Sequence, residues 1–187
     1  MLSKKQEILL RIFKNKQESY NSRSISKPIG ISHAGAFKIL KNLEKQNVVT
    51  SRLIGKARIY SINSNNPVAL KEIELALAQE AEKHKKWIEE FKEISNKSKF
   101  IVLFGSVLRN EKEARDVDIL IIAEKSKHEE INKVIKDKNK ILNKKIHQII
   151  QTDDEFKKDT GENNKAMFEI IKGVVLFGQS EFVRLLK

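Results

Sequence analysis

Two short, uninterrupted apolar runs constrain this chain more than any other feature of its sequence. Residues 100–104 read FIVLF and residues 119–123 read ILIIA, and polar residues or glycine lie on both sides of each run. Apolar runs of about four to eight residues are typical of strands that are buried on both faces. We therefore expect a small sheet covered by helices, with residues 145–151 and 174–177 as candidates for further strands.

The first third of the chain has a different pattern. The spacing of its apolar residues and its capping residues predict helices at about 4–13, 22–28 and 32–45. Two β-rich runs, 48–54 and 57–62, then flank a Gly-Lys dipeptide and predict a hairpin. Three helices followed by a basic hairpin is the element order of a winged helix.

The stretch SISKPIGISHAGAFKILKNLEKQNVVTSRLIGKARIYSIN, residues 24–63, resembles the winged helix-turn-helix of prokaryotic transcriptional regulators. The matching features are the Ile-Gly-Ile-Ser turn, the Leu-x-x-Leu-Glu stripe, the apolar pair that opens the wing, and Tyr60 near its end. The resemblance implies that residues 1–65 form a domain that binds double-stranded DNA.

The distribution of charge supports this interpretation. Residues 1–65 contain 13 Lys and Arg but 3 Asp and Glu, a net charge of +10, whereas the remaining residues contain 24 and 22. Such asymmetry is typical of a polyanion-binding module, and a generally basic surface is the alternative. Candidate DNA contacts are the polar side of the third helix and the hairpin: Ser32, His33, Gly35, Lys38, Lys41, Arg52, Lys56 and Arg58. Phe37 is interpreted as a packing residue.

Residues 66–97 predict a long linker helix with a break near residues 84–86. This segment opens with Asn-Pro, then contains neither Gly nor Pro, and keeps an apolar stripe to about Ser95. The stripe predicts either a homodimer arm or packing within the same chain. Dimers are common among regulators that bind palindromic DNA, and both interpretations stay open here.

Polar residues with a chemical role lie at the ends of the two apolar runs. Gly105 and Ser106 directly follow the first run, and Asp116 and Asp118 precede the second. Side chains at i and i+2 of a strand point to one face, roughly 6.5–7 Å apart, so the two carboxylates repel unless a divalent cation such as Mg²⁺ or Mn²⁺ lies between them. Glycine and serine at a helix start suit phosphate, so we expect a nucleoside triphosphate beside the cation.

The segment LFGSVLRNEKEARDVDILII, residues 103–122, resembles the minimal archaeal and bacterial members of the nucleotidyltransferase superfamily that includes DNA polymerase beta. The resemblance implies a domain over residues 98–187. Asp116 and Asp118 would be its catalytic metal ligands, and Gly105, Ser106 and Arg109 would bind the nucleotide. Two positions depart from the family pattern: Asn110 replaces a usual glycine, and Arg115 replaces a usual small residue.

A third carboxylate of the family, carried on a later strand, is not found in the sequence of the candidate strand 145–151. His147 and Gln148 occupy its expected place, and the acidic residues 153–155 resemble a helix cap. His147 is either a substitute base or a surface residue at the sheet edge, and the second interpretation is preferred. A regulator that binds NTP is therefore the first functional prediction. The alternative is an active, antitoxin-like enzyme that modifies a protein, an RNA or a small molecule.

Composition excludes several other classes of protein. The chain has no Cys, which excludes disulfides, thiolate zinc sites and a cysteine nucleophile. Hydrophobic residues make up 40%, which is enough for a packed core, and no apolar run reaches the ~18 residues of a membrane span. The sequence thus predicts a soluble, cytoplasmic α+β protein of two domains: a winged helix, a long linker helix and a small mixed-sheet nucleotidyltransferase-like domain.

Overall fold

The computed structural model describes residues 2–162 and 164–187, which form a mixed α+β structure. The chain divides into two compact units, Met1–Gln79 and Glu80–Lys187. The division lies in the last turn of one helix, so each unit is described by itself. No helix in the described residues is both long and apolar enough to cross a membrane.

Three helices and a hairpin open the first unit, as predicted. They are α1 (Lys4–Lys14), α2 (Ser22–Ile29), α3 (His33–Lys45), β1 (Val49–Ile54) and β2 (Ala57–Ile62). The side chains of Ser3, Asn21 and Ser32 cap the three helices by accepting hydrogen bonds from backbone amides of the first turn. The strands are antiparallel, and Gly55 has a φ of 58° in the two-residue turn between them.

The core of this unit gathers side chains from all three helices and from both strands. Its fully buried members include Ile8, Leu9, Leu40 and Leu43. The hairpin is also fixed through its backbone, because the Tyr60 amide donates to the carbonyl of Tyr20 at 2.8 Å. The hairpin is thus part of the packed unit.

The predicted linker is divided between the two units. Helix α4 (Pro67–Ala81) contributes Ala69 to the first core, and its Glu72 pairs with Lys5 at 2.8 Å. A single 3-10 turn, Glu82–His84, then interrupts the helix, which confirms the predicted break. The segment is not a separate linker, because its apolar stripe packs in the first core near its start and in the second core near its end.

Helix α5 (Lys85–Ser95) packs in the second unit through Trp87, Phe91 and Ile94, each at most 3% exposed. Residues Ile73 and Leu77 of the same stripe are fully buried as well. These members of the stripe therefore pack within the chain, whereas Val68 and Leu75 of α4 are more than half exposed.

The second unit contains a four-stranded mixed sheet of order β5-β4-β3-β6. Its strands are β3 (Phe100–Phe104), β4 (Asp116–Ile122), β5 (Lys145–Gln151) and β6 (Val174–Phe177), and its further helices are α6 (His128–Ile141), α7 (Asp153–Gly161), α8 (Lys165–Ile171) and α9 (Gln179–Leu186). Strands β4 and β5 are parallel and are joined through α6, whereas β3 is antiparallel to both of its neighbours. All four predicted strands are confirmed.

Both faces of the sheet are covered, as the apolar runs predicted. On one face, Leu103, Val117 and Ile119 share a core with residues of α5 and α6. On the other, Phe100 makes edge-to-face contacts with Phe156 and Phe182, with ring centroids 5.3 Å apart in each pair. The two central strands of the sheet are therefore packed on both faces.

We expect Phe100→Ala to lower the free energy of unfolding of the second unit by about 3–5 kcal/mol, because the ring is fully buried between two other aromatic rings. Urea unfolding followed by fluorescence of Trp87, the single tryptophan, measures this unit. Ile141→Ala, at a side chain that is 85% exposed, should change the value by no more than about 0.5 kcal/mol. Equal effects of the two variants would contradict the prediction.

Candidate functional site

Two carboxylates lie at the beginning of the central strand β4. Asp116 and Asp118 are on one face, while Val117 between them points to the opposite face and is fully buried. Their side chains are 35% and 25% exposed, so both are partly withdrawn from water. The strand register thus places two acidic groups side by side at the edge of an apolar core.

His147 lies beside both carboxylates. Parallel pairing sets it opposite Asp118, and its Nδ1 atom lies 3.5 Å from Asp116 Oδ2 and 3.7 Å from Asp118 Oδ1. The neighbouring Gln148 points to the other face and donates a hydrogen bond to Asn132. The sequence placed His147 at the sheet edge, which is confirmed, but its ring is not an isolated surface group.

The Gly-Ser turn closes the third side of this site. Gly105 has φ 82° and ψ −156°, a conformation that L side chains rarely adopt. A Cβ atom at this position would overlap the Asp118 carboxylate and would lie 3.0 Å from its Cγ atom. Ser106 follows in a short 3-10 turn and is partly exposed. Glycine is therefore required here by the close approach of the backbone to Asp118.

The electrostatics of the pair are unfavourable without a cation. Burial raises the pKa of the Asp118 carboxyl, the charge of Asp116 raises it further, and His147 partly opposes the shift. The donor atoms of Asp116, Asp118 and His147 all lie within 4.8 Å of one another. Bonds of about 2.1 Å place the donors of an octahedral cation about 3.0–4.2 Å apart, and the two distances from His147 Nδ1 to the carboxylate oxygens lie within this range.

Three of the candidate DNA-contact residues form hydrogen bonds at the start of α3. Ser32 caps α3 by accepting a hydrogen bond from the Gly35 amide at 3.0 Å, so both residues have a structural role in the helix start. His33 is exposed, and its Nε2 atom lies 2.8 Å from the Ser22 hydroxyl. These contacts fix the end of the helix that precedes the basic residues.

The basic candidates of the first unit differ in their exposure and partners. Arg58 donates to Glu44 at 3.1 Å and is thus partly neutralised. The others are exposed: Lys38, Lys41, Arg52 and Lys56. Phe37, interpreted from the sequence as a packing residue, is 47% exposed, so it is not a member of the core.

A comparison with known families covers the second unit. A family model described as the nucleotidyltransferase domain matches residues 84–178. The chain belongs to this family. No curated protein and no solved structure matches the chain closely enough to count as similar. The matched nucleotidyltransferase domain contains β3, β4, β5 and β6, and hence every residue of the site described above.

The loop between β3 and β4 of the nucleotidyltransferase domain, which the sequence analysis found to depart from the family pattern, is stabilised by hydrogen bonds of its own. Asn110, in the place of the usual glycine, accepts a hydrogen bond from the Lys112 amide through its side chain and one from the Ala114 amide through its carbonyl. Arg109 and Arg115 are exposed. Among the described residues, no ion pair joins Arg109 to Asp116 or Asp118, and its contact with the nucleotide stays a prediction.

A residue that sequence reasoning missed fixes the entry to β4. Lys144, just before β5, donates a hydrogen bond from its Nζ atom to the carbonyl of Ala114. The contact joins positions 30 residues apart, and no local pattern in a lysine-rich sequence distinguishes this lysine from its neighbours. It ties the start of β5 to the loop that leads into Asp116.

The acidic residues after β5 have the capping role that the sequence predicted. Glu155 and Thr152 form a reciprocal capping box at the start of α7. Burial by itself would raise the pKa of the Asp153 carboxyl. Hydrogen bonds and positive charge from Lys99 and Arg184 outweigh this effect and lower its pKa. These side chains are committed to the helix start and to ion pairs.

We expect Asp118→Asn to raise the unfolding temperature at pH 7 when chelator removes divalent cations. The pKa of Asp118 is higher in the folded than in the unfolded protein, so its ionisation costs stability as pH rises. The gain should shrink as pH falls through the folded pKa and should disappear well below the unfolded pKa of about 3.9, where the carboxyl is protonated in both states. Thermal unfolding between about pH 3 and about pH 8 measures it.

Asp137→Asn is the matched control. Asp137 is exposed, and its hydrogen bond to Lys140 lowers its pKa, so its replacement should give no gain at pH 7. A lower unfolding temperature for Asp118→Asn at neutral pH would contradict the prediction.

Proposed function

We propose that the nucleotidyltransferase domain binds a nucleoside triphosphate together with a divalent cation, and that the first unit binds double-stranded DNA. The protein would then act as a transcriptional regulator whose DNA-bound state responds to nucleotide. The observation that carries the nucleotide part is the contact of Gly105 with the Asp118 carboxylate. It joins the turn suited to phosphate and the carboxylates suited to metal in one site.

The residues present fit this assignment. Because Gly105 has no side chain, the turn passes close to Asp118, and the partly exposed Ser106 that follows would offer its hydroxyl to a phosphate oxygen. A bound Mg²⁺ or Mn²⁺ would neutralise charge on the phosphates and polarise the phosphorus. Asp116 and Asp118 would hold that ion, and their mutual repulsion in the free protein is what the ion would relieve.

His147 bears on the choice between sensing and catalysis. It supplies an imidazole where the family uses a carboxylate, so the usual base for an attacking hydroxyl is replaced, which favours binding with slow turnover. The second candidate function is active nucleotidyl transfer to a protein, an RNA or a small molecule. One observation favours it: the Nδ1 atom of His147 lies close to both carboxylates, where an imidazole can accept a proton.

The DNA part of the proposal is supported by the element order and charge of the first unit. Three helices followed by an antiparallel hairpin correspond to the winged helix expected from the sequence. Exposed Lys38 and Lys41 would line the helix that enters the major groove, and Lys56 at the turn would contact the adjacent backbone. A homodimer on a palindromic site remains a prediction.

The nucleotide proposal predicts that Asp118→Asn lowers Mg²⁺-dependent nucleotide affinity by about tenfold or more, since a direct ligand is removed. Calorimetry with each of the common nucleoside triphosphates, with and without Mg²⁺, measures it, and Asp137→Asn should behave as the unchanged protein. Because Asp118→Asn should be more stable, unfolding cannot account for its loss of binding. Equal affinity with and without Mg²⁺, and for both variants, would overturn the proposal.

The same samples distinguish the two candidate functions. When the nucleoside triphosphate is labelled, binding of the label without release of pyrophosphate supports a sensor. Sustained pyrophosphate release, abolished by Asp118→Asn, supports an active transferase instead.

The DNA proposal predicts that the full chain binds duplex DNA with strong salt dependence and that Lys41→Glu weakens this binding for every sequence. The slope of log affinity against log salt should fall by about one for the lost phosphate contact. Gel shifts and fluorescence anisotropy over a range of salt concentrations measure it.

Lys140→Glu, an identical charge change on the second unit, should leave the DNA affinity nearly unchanged. Absence of binding by the unaltered chain at low salt, or equal losses in the two variants, would contradict DNA binding by the first unit.

A further inference from the structure

We propose that His147 makes this site select a divalent transition-metal ion over Mg²⁺. The inference rests on the proposed function, because the same two carboxylates hold the cation. The inference adds the His147 imidazole as a third metal ligand beside the two carboxylates, and it attributes the selection of the metal to this nitrogen ligand.

The backbone register commits His147 to this position. Parallel pairing sets Asp116 opposite Lys145 and Asp118 opposite His147, and alternation then sends Gln148 to the α6 side. The side of the sheet that carries the carboxylates therefore receives an imidazole, and a shift by one residue would replace it with an amide. The ring is 59% exposed, so an ion from solvent can reach it.

The distances suit coordination better than direct contact. The His147 Nδ1 atom lies 3.5 Å and 3.7 Å from the two carboxylate oxygens, beyond the roughly 2.7–3.2 Å of an N–H···O hydrogen bond. Both values lie within the ~3.0–4.2 Å that separates donors around one octahedral ion. The arrangement thus leaves the space of a cation between one nitrogen and two oxygens.

The donor types decide the metal. Mg²⁺ prefers oxygen ligands and gains little from imidazole, whereas first-row transition ions bind imidazole well. Two carboxylates and one imidazole hold such an ion on one side and leave its other positions for water or phosphate oxygens. The acidic residues after β5 do not restore an all-oxygen site, because Asp153 pairs with Lys99 and Glu155 caps α7.

The test measures metal alone on the full chain, without nucleotide. Calorimetry compares Mn²⁺ with Mg²⁺, and pulsed EPR of bound Mn²⁺ reports whether a nitrogen ligand is present. We expect Mn²⁺ to bind about tenfold or more tighter than Mg²⁺ and to show nitrogen coupling. His147→Ala should remove the coupling and cost at least about tenfold in Mn²⁺ affinity, since even outer partners of metal ligands contribute that much.

The variant His147→Asp tests selectivity itself. It restores three carboxylates and should move the preference toward Mg²⁺ while the ion still binds. His128→Ala, at a histidine that contacts the Ala123 carbonyl instead, should leave both metal affinities and the nitrogen coupling unchanged.

The outcomes separate this inference from the proposed function. Absence of nitrogen coupling, or an unchanged Mn²⁺ to Mg²⁺ ratio in His147→Asp, overturns the role of His147 even if nucleotide binds with Mg²⁺. Metal binding with nitrogen coupling but without any nucleotide affinity supports the inference and overturns the proposed function.

Discussion

The parallel register of β4 and β5 is the constraint on which the site depends. It sets His147 opposite Asp118 on the same face, and the pairing of β3 with β4 sets Phe104 opposite Asp118 from the other side. Because Gly105 directly follows Phe104, its turn meets the same carboxylate. Three segments that are far apart in the chain therefore converge on one side chain of the central strand.

The rigidity of this convergence comes from the apolar part of the strands. Residues Ile119–Ile122 of β4 are fully buried, and aromatic and aliphatic side chains cover both faces of the sheet. The core thus holds Asp116 and Asp118 together, and burial, followed by the charge of Asp116, raises the pKa of Asp118. Functional sites commonly carry such a cost in stability, and a ligand that relieves it gains affinity from a structure already in place.

The two units present different chemistry to their surroundings. Most of the excess positive charge belongs to the first 65 residues, on a small helical unit closed by a hairpin. The nucleotidyltransferase domain is nearly neutral and concentrates its distinctive groups at one end of a sheet. This division fits a protein that contacts a polyanion with one unit and a small anionic ligand with the other.

The sequence by itself determined the elements and half of the site. Two apolar runs predicted β3 and β4, a capping serine predicted the start of α3, and the spacing of Asp116 and Asp118 predicted their common face, because these signals are local. The position of His147 beside both carboxylates, the Lys144 contact and the division of the linker between two cores were decided by tertiary structure alone. Each depends on strand register or on partners far away in the chain, and a local pattern carries no information about which distant residue will lie opposite.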